Sequence, residues 1–471
     1  MQPIYITTAI DYVNGKPHVG HALEKIQADV TARYWRGKSR EVRFLTGTDD
    51  NSLKNVRAAA KANQTTLEFV NENAGHFEKM AHDFNLSIDD FIRTTQARHI
   101  QGAQKFWAAF NPADIYQKMY RGLYCVGCEE FKLEKDLSDG KCPEHLTAPE
   151  VIEEENYFFR LSNYQDQLLK LIESDELKIE PVSRKNEMLN FIRGGLEDLS
   201  ISRSVKRAEG WGVPVPGDPS QIMYVWVDAL SNYIMALDYA TDGELYQKYW
   251  VQDCTKVHMI GKGILRFHAV YWPIFLLSAG LPLPTLIQVH EYFTINNQKV
   301  SKSLGNVIDP KELIVRYGVD ASRYLLLSAL PYTNDGDISW DKLDAKYTAD
   351  LANGLGNLLN RTLALRKKFG VEVEPGARPG CAESDQLTER YQFALALEEI
   401  WKLVAQADQQ LERDAPWKET DEGKRTTTLV SVTRQIETIA KSLQAYMPTT
   451  AQEIFNQLET NVPTPLFPRL E

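Results

Sequence analysis

Cysteine is scarce in this chain, with five in 471 residues. That is too sparse for a disulfide scaffold and points to a reducing compartment. Long hydrophobic runs are missing too. The apolar stretches break well short of the roughly 20 residues that span a bilayer, so no membrane association is expected. Positive charge is in deficit: 53 Lys and Arg face 64 Asp and Glu, a formal net charge of −11. This excludes a surface coated in basic patches for non-specific nucleic-acid binding. It leaves room for one local basic face fitted to a shaped RNA, because acidic faces elsewhere repel wrong partners. Internal repeats, coiled-coil heptads and low-complexity tracts are absent. No leader peptide is visible ahead of the strand-like Ile4-Tyr5-Ile6-Thr7-Thr8. A cytoplasmic location is the expectation.

A chain of this length exceeds one core and divides into two to four domains. Its opening reads strand, turn, helix, strand. The turn is Asn14-Gly15-Lys16-Pro17, and Pro17 suits a helix start. Apolar residues then fall at Val19, Ala22, Leu23, Ile26 and Val30, a helical stripe. Val42 to Leu45 is a short second strand, followed by Thr46-Gly47-Thr48-Asp49-Asp50. This is the start of a nucleotide-binding α/β sheet, with ligands expected at the strand ends. From about residue 116 the texture becomes dense in Cys, Gly and charge. The α/β texture resumes at Met223-Tyr224-Val225-Trp226-Val227, read as an apolar strand, and again at Val257 to Gly261. Leu351, Leu355, Leu358, Leu359, Thr362 and Leu365 form a long helical stripe, and 391–412 and 426–443 share its period. The expected division is two sheet-domain halves at 1–115 and 223–295, an insertion at 116–222, a connecting region at 296–345 and a helical domain at 346–471.

Two motifs carry the chemistry. His18-Val19-Gly20-His21 places two imidazoles three apart, on one face of a helix start. Gly20 lets a flat base approach the backbone, and the helix N-terminus favours phosphate. Alone, this could be two ordinary surface histidines. Lys299-Val300-Ser301-Lys302-Ser303 follows the strand-like Tyr292 to Ile295 and a turn at Asn296-Asn297. Alone, it could be a solvated basic turn. Together, in this order and each beside a β-α context, they are what a protein needs to hold ATP and stabilise attack on its α-phosphate. A third motif is Cys125-x-x-Cys128 with Cys142-x-x-His145. Three thiolates and an imidazole at this spacing suit tetrahedral Zn²⁺ with no open position, hence a structural metal. A pair of disulfides is the alternative that the reducing compartment disfavours.

The two ATP motifs resemble the HIGH and KMSKS hallmarks of the class I aminoacyl-tRNA synthetases, and the chain is similar, more narrowly, to the methionyl-tRNA synthetase family. The resemblance covers nearly the whole chain. It is carried by Ala9-Ile10-Asp11-Tyr12-Val13-Asn14-Gly15, Gly47-Thr48-Asp49, Tyr224 to Ala229, Arg266-Phe267-His268 with Trp272, and Ala415-Pro416-Trp417. It implies a Rossmann-like parallel sheet with a zinc-knuckle insertion and a helical anticodon-binding bundle. His18, His21, Lys299 and Lys302 would be catalytic, with Gly20, Gly261, His290 and Ser301 joining them around ATP and its Mg²⁺. A methionine pocket is implied at Ala9, Ile10, Tyr12, Trp226, Ala229, Leu230, Tyr233, Ile264 and His268. Aromatic and small walls suit a thioether there, and Asp49 would hold the amino group. Asn357, Arg361 and Trp417 would read the anticodon of tRNA(Met) by hydrogen bonding and stacking on unpaired bases. Asp335 to Trp340 matches a family block near the acceptor-stem contact. A monomer is expected.

The chain departs from the family pattern at three places near the expected site. Gly-Thr-Asp-Glu-His-Gly becomes Gly47-Thr48-Asp49-Asp50-Asn51-Ser52. Gly-Lys-Asp becomes Gly261-Lys262-Gly263. His-Gly-Trp/Tyr becomes His290-Glu291-Tyr292. A divergent or duplicated copy, such as an inhibitor-resistant one, fits these changes. A paralogue that activates an amino acid for a non-tRNA acceptor is a second reading, opposed by the retained Asn357, Arg361 and Trp417. A non-catalytic RNA binder is a third, opposed by Lys302 and both histidines.

Overall fold

The computed structural model describes residues 2–143, 146–299, 307–374 and 379–470. The chain forms two compact units, interleaved in sequence. The first comprises Met1–Pro17, Arg40–Lys79 and Ile88–His290; the second comprises His18–Ser39, Met80–Ser87 and Glu291–Glu471. Among the described residues, no helix is long and apolar enough to cross a membrane.

The first unit is built on a parallel sheet, as the strand–helix alternation predicts. Its strands are β1 (Ile4–Thr8), β2 (Asp11–Tyr12), β3 (Val42–Asp49), β4 (Asp90–Arg93), β5 (Lys178–Glu180), β6 (Thr255–Gly261) and β7 (Leu286–His290). The order is β2-β3-β1-β6-β7-β5, with β4 also on β3. Every residue of β1 is buried, the mark of a strand covered on both faces. The second strand runs four residues past Leu45, to Asp49. Gly47 makes this possible: a Cβ there would sit 2.1 Å from the Ile92 carbonyl oxygen on β4. β2 was not foreseen. It pairs with the end of β3, placing Asp11 opposite Thr48 and Tyr12 opposite Asp49.

Helix α1 (Val19–Gly37) follows β1 in the chain but counts with the second unit. The first unit's helices include α2 (Leu53–Lys61), α3 (Ala97–Ala109) and α4 (Val225–Met235). α4 corrects the strand expected at Met223 to Val227. The strand Asp218–Met223 ends there, Tyr224 is the extended N-cap, and Trp226 lies in the first helical turn. Val225 and Val227 favour strand by propensity, but propensity is a weak prior that tertiary context overrides, and all eleven residues of α4 are buried in the fold. Between β4 and β6 lies an antiparallel sheet of Ile115–Cys125, Glu130–Lys132, Glu150–Phe159 and Leu199–Ser200.

In the second unit, α1 buries its predicted stripe of Val19, Ala22, Leu23, Ile26 and Val30. It also buries Asp29, whose Oδ2 lies 2.7 Å from an Arg323 nitrogen; neither side chain reaches solvent. Arg323 belongs to α5 (Val319–Ser328). A small sheet joins β8 (Phe293–Ile295) to β9 (Gln298–Lys299) and β10 (Gly336–Ile338). Asn296 and Asn297 turn the first pair with positive φ, which asparagine tolerates. The helical part includes α6 (Asn357–Phe369), α7 (Phe393–Asp414) and α8 (Glu422–Leu443). The leucine stripe is buried through Thr362, after which Leu363 and Arg366 are buried and Leu365 only partly. A π-helical stretch at Tyr347–Gly356 precedes α6. Leu351 and Leu355 within it are buried with the rest of the stripe.

Candidate active site

The carboxyl ends of β1, β3 and β6 deliver three loops within the first unit. Asp49 ends β3, buried, with its Oδ1 accepting the Asn51 backbone N–H at 3.1 Å. Burial, reinforced by the neighbouring Asp228 charge, pushes its carboxyl well above the usual range, and the Asn51 N–H only partly opposes this. Each of the next three side chains is pinned. Asp50 accepts from Thr48 Oγ1, Arg93 Nε and Thr95 Oγ1 at 2.9, 2.9 and 2.6 Å. Asn51 Nδ2 donates to Asp228 Oδ2 at 2.8 Å and to the Thr94 carbonyl at 3.2 Å. Ser52 Oγ donates to Glu129 Oε1 at 2.8 Å and caps α2.

An aromatic wall stands in the same unit. Trp226 stacks on Phe267 at 3.8 Å between centroids and 8° between planes, and Tyr12 meets Trp226 edge-on at 6.3 Å. Ala9, Trp226, Leu230 and Tyr233 belong to one buried cluster, with Ile10, Tyr12 and Ile264 packed against it. Ala229 is buried on the same helix. His268 Nδ1 lies 2.9 Å from the Ile264 carbonyl, so that nitrogen carries the proton, and Nε2 accepts from Tyr233 Oη at 2.7 Å. Behind them His258 accepts from Trp272 Nε1 at 3.1 Å and stacks on Tyr233 at 4.0 Å. Burial, with His268 and Lys256 nearby, drives its pKa far down and keeps it neutral. Tyr12 Oη and Trp226 Nε1 are buried without a hydrogen-bond partner among the described residues. Lys54 Nζ lies 4.2 Å from the Tyr12 ring centroid. Of the residues expected around methionine, Tyr12 thus meets Trp226, Tyr233 meets His268, and Asp49 stands opposite Tyr12 on the neighbouring strand.

The first ATP motif lies in the second unit. His18 is the N-cap of α1 rather than a residue within it. Its Nδ1 accepts the Gly20 N–H at 3.1 Å, while His21 Nδ1 accepts the His18 N–H at 3.0 Å. This reciprocal cap stacks the rings 3.8 Å apart. A Cβ on residue 20 would sit 3.0 Å from the His18 ring, so any larger residue would have to push that ring aside by a few tenths of an ångström. Lys299 lies on β9; Ser301 and Lys302 lie outside the described residues. Gly261 and His290 are paired across the ends of β6 and β7 in the first unit.

Cys125, Cys128 and Cys142 bring their Sγ atoms within 4.8 Å of one another, with Cys128 and Cys142 3.5 Å apart, and no disulfide forms. Thiolates around tetrahedral Zn²⁺ sit about 3.8 Å apart, so the donor set fits a metal; His145 lies outside the described residues. In the second unit Asn357 is exposed, while Arg361 and Trp417 are half-buried. Arg361 lies 5.4 Å from the Trp417 ring centroid and is held by Asp408 and Glu412.

The motif reading overlooked Phe267, Lys54, His99, and the roles of Asn51 and Asp228. Phe267 and Asp228 lie within the Arg266–His268 and Tyr224–Ala229 blocks, but nothing in their spacing shows that one stacks on Trp226 and the other bonds to Asn51. Glu129 and Glu130 also went unremarked beside Cys128. Glu129 accepts from Ser52 and Tyr124 Oη, and Glu130 pairs with Arg266 next to Phe267.

A family model described as class I tRNA synthetases (M) matches residues 4–148 and 132–363. A methionine–tRNA ligase of Caldanaerobacter subterraneus is 42% identical over 474 residues, covering 96% of this chain and 73% of that protein. One from Brucella suis is 41% identical, covering 96% and 91%. The solved structure of Mycobacterium tuberculosis methionyl-tRNA synthetase with methionyl-adenylate superposes with a TM-score of 0.91 at 38% identity, covering 100% of both chains.

Proposed function

The chain belongs to the class I (M) family of tRNA synthetases, and on that premise we propose that it joins methionine to its tRNA in two steps. First, a methionine carboxylate oxygen attacks the α-phosphorus of Mg²⁺-bound ATP. The bond from that phosphorus to its bridging oxygen breaks, pyrophosphate leaves, and methionyl-adenylate forms. Second, a ribose hydroxyl at the tRNA 3′ end attacks the acyl carbon and AMP departs.

Asp49 holds the substrate ammonium. Ala9, Ile10, Tyr12, Trp226, Ala229, Leu230, Tyr233, Ile264 and His268 enclose the thioether, whose sulfur contacts aromatic rings favourably. His18 and His21 meet ATP at the start of α1, where the helix end adds partial positive charge. Gly20 leaves room for the base, and Gly261, His290 and Ser301 complete the ATP contacts. Lys299 and Lys302 answer the charge growing on the α-phosphate and leaving pyrophosphate. Cys125, Cys128, Cys142 and His145 hold a structural Zn²⁺. Asn357, Arg361 and Trp417 read the anticodon. The protein works in the cytoplasm as a monomer.

The observation that carries this reading is the β2–β3 pairing. It sets aromatic Tyr12 opposite carboxylate Asp49, an amine end and a thioether end on neighbouring strands. Methionine-dependent ATP–pyrophosphate exchange tests the first step. Exchange with another amino acid and not with methionine defeats the proposal. Charging of a methionine tRNA transcript, against an anticodon-mutated control, tests the second step and separates this reading from a non-tRNA acceptor.

A further inference from the structure

The first unit contains a buried polar bridge that links the Asp49 loop to the helix bearing the aromatic wall. Asp228 lies on α4, between Trp226 and Ala229, and is 1% exposed. Its Oδ2 accepts from Asn51 Nδ2 at 2.8 Å, and its Oδ1 is at hydrogen-bond distance from His99 Nε2 on α3. A carboxylate oxygen can only accept, so His99 Nε2 is the donor of this pair. Both carboxylate oxygens are therefore held by donors from different elements. Asn51 is used twice: its side chain holds Asp228, and its backbone N–H holds Asp49 Oδ1 at 3.1 Å.

We propose that Asn51 and Asp228 are positioning residues that fix the ammonium-binding carboxylate of Asp49 at a set distance from the thioether wall on α4. This rests on the methionine reading given above. The physical argument is one of registry. A substrate with an ammonium at one end and a thioether at the other needs both anchors at once. Asp49 sits on a strand end and Trp226, Ala229, Leu230 and Tyr233 sit on a helix. A buried hydrogen bond to a charged acceptor is strong and directional, and Asn51–Asp228 joins these two elements directly. Asn51 is also where the family pattern has histidine. An amide supplies two N–H donors from one nitrogen, matching the Thr94 carbonyl and Asp228 together, and it does not titrate.

The test is methionine-dependent ATP–pyrophosphate exchange with the full chain. Loss of a hydrogen bond to a charged group should raise the methionine KM about 10- to 100-fold in Asn51→Ala, with the ATP KM within about twofold. The kcat/KM preference for methionine over its ethyl homologue ethionine should shrink. Asn51→His, which restores a donor at the same place, should recover most of the methionine KM. A merely structural role predicts otherwise: both KM values rise together, or neither moves while the urea midpoint falls. Either outcome overturns the proposal. Should Asn51→Ala not fold, the near-isosteric Asn51→Leu, which removes both side-chain donors, is read in the same way. Failure of the underlying reading looks different, because the unsubstituted protein would then show no methionine-dependent exchange.

Discussion

Replacing Arg323 with methionine keeps its bulk and removes a buried charge. Four hydrogen bonds go with it: to Asp29 at 2.7 Å, to the Tyr446 carbonyl at 2.8 Å, and to the Phe84 and Ala445 carbonyls at 3.2 Å each. Asp29 keeps Arg33 Nε at 2.8 Å and two Ser87 donors at 2.6 Å. Breaking a buried ion pair costs about 3–5 kcal/mol. The surviving partners put this case at the lower end, about 3 kcal/mol, a large part of the 5–15 kcal/mol typical of a folded domain. Urea denaturation at neutral pH, followed by circular dichroism, measures it. The pH dependence supplies a second check. Burial alone would raise the Asp29 pKa, but Arg323, Arg33 and Ser87 outweigh it and hold the carboxyl below its usual range. A folded pKa below the unfolded one means stability that is complete above the unfolded value, about 4. It is lost as pH falls through the folded value. The gap between the native protein and R323M should therefore narrow at acid pH. A gap under about 1 kcal/mol at neutral pH, or one that does not narrow, would refute the reasoning.

Three further outcomes are expected. Cys128→Ser should lower bound zinc well below one equivalent per chain by elemental analysis; unchanged zinc would remove Cys128 from the ligand set. The methionine KM should climb as pH falls, because the raised Asp49 carboxyl, surrounded by Asp228, Asp50 and Glu129, protonates early and releases the ammonium; a flat KM profile from neutral to mildly acid pH contradicts this. Arg361→Ala should raise the KM for tRNA at least about tenfold, the scale of a lost charged hydrogen bond or stacking partner, and the methionine KM far less; equal rises in the two would argue against anticodon reading.

What the sequence made legible was whatever depends on short spacing. The HVGH helix, the knuckle cysteines, the β3 strand and the helices α6, α7 and α8 all follow from local periodicity or fixed offsets. Trp226 is expected in a strand because Val225 and Val227 favour β structure, and a run buried on every side carries no period that separates helix from strand. The π-helical stretch before α6 is invisible in the sequence because its buried Leu351 and Leu355 keep the spacing of an α-helix. The Asn51–Asp228–His99 bridge joins residues 177 and 129 positions apart. No one-dimensional signal couples them, although Asn51 drew notice as a departure from the family pattern.

The Asp29–Arg323 pair spans 294 residues. At a ribosomal rate of about 5–20 residues per second, α1 emerges about 15–60 s before its arginine does. The first unit ends at His290, so its strands can pair while α1 is still waiting. During that interval the α1 carboxylate has Arg33 and Ser87 as partners but not yet Arg323. The second unit cannot close until synthesis passes the bundle. The length of the wait for that last partner is a property of where Arg323 stands in the chain.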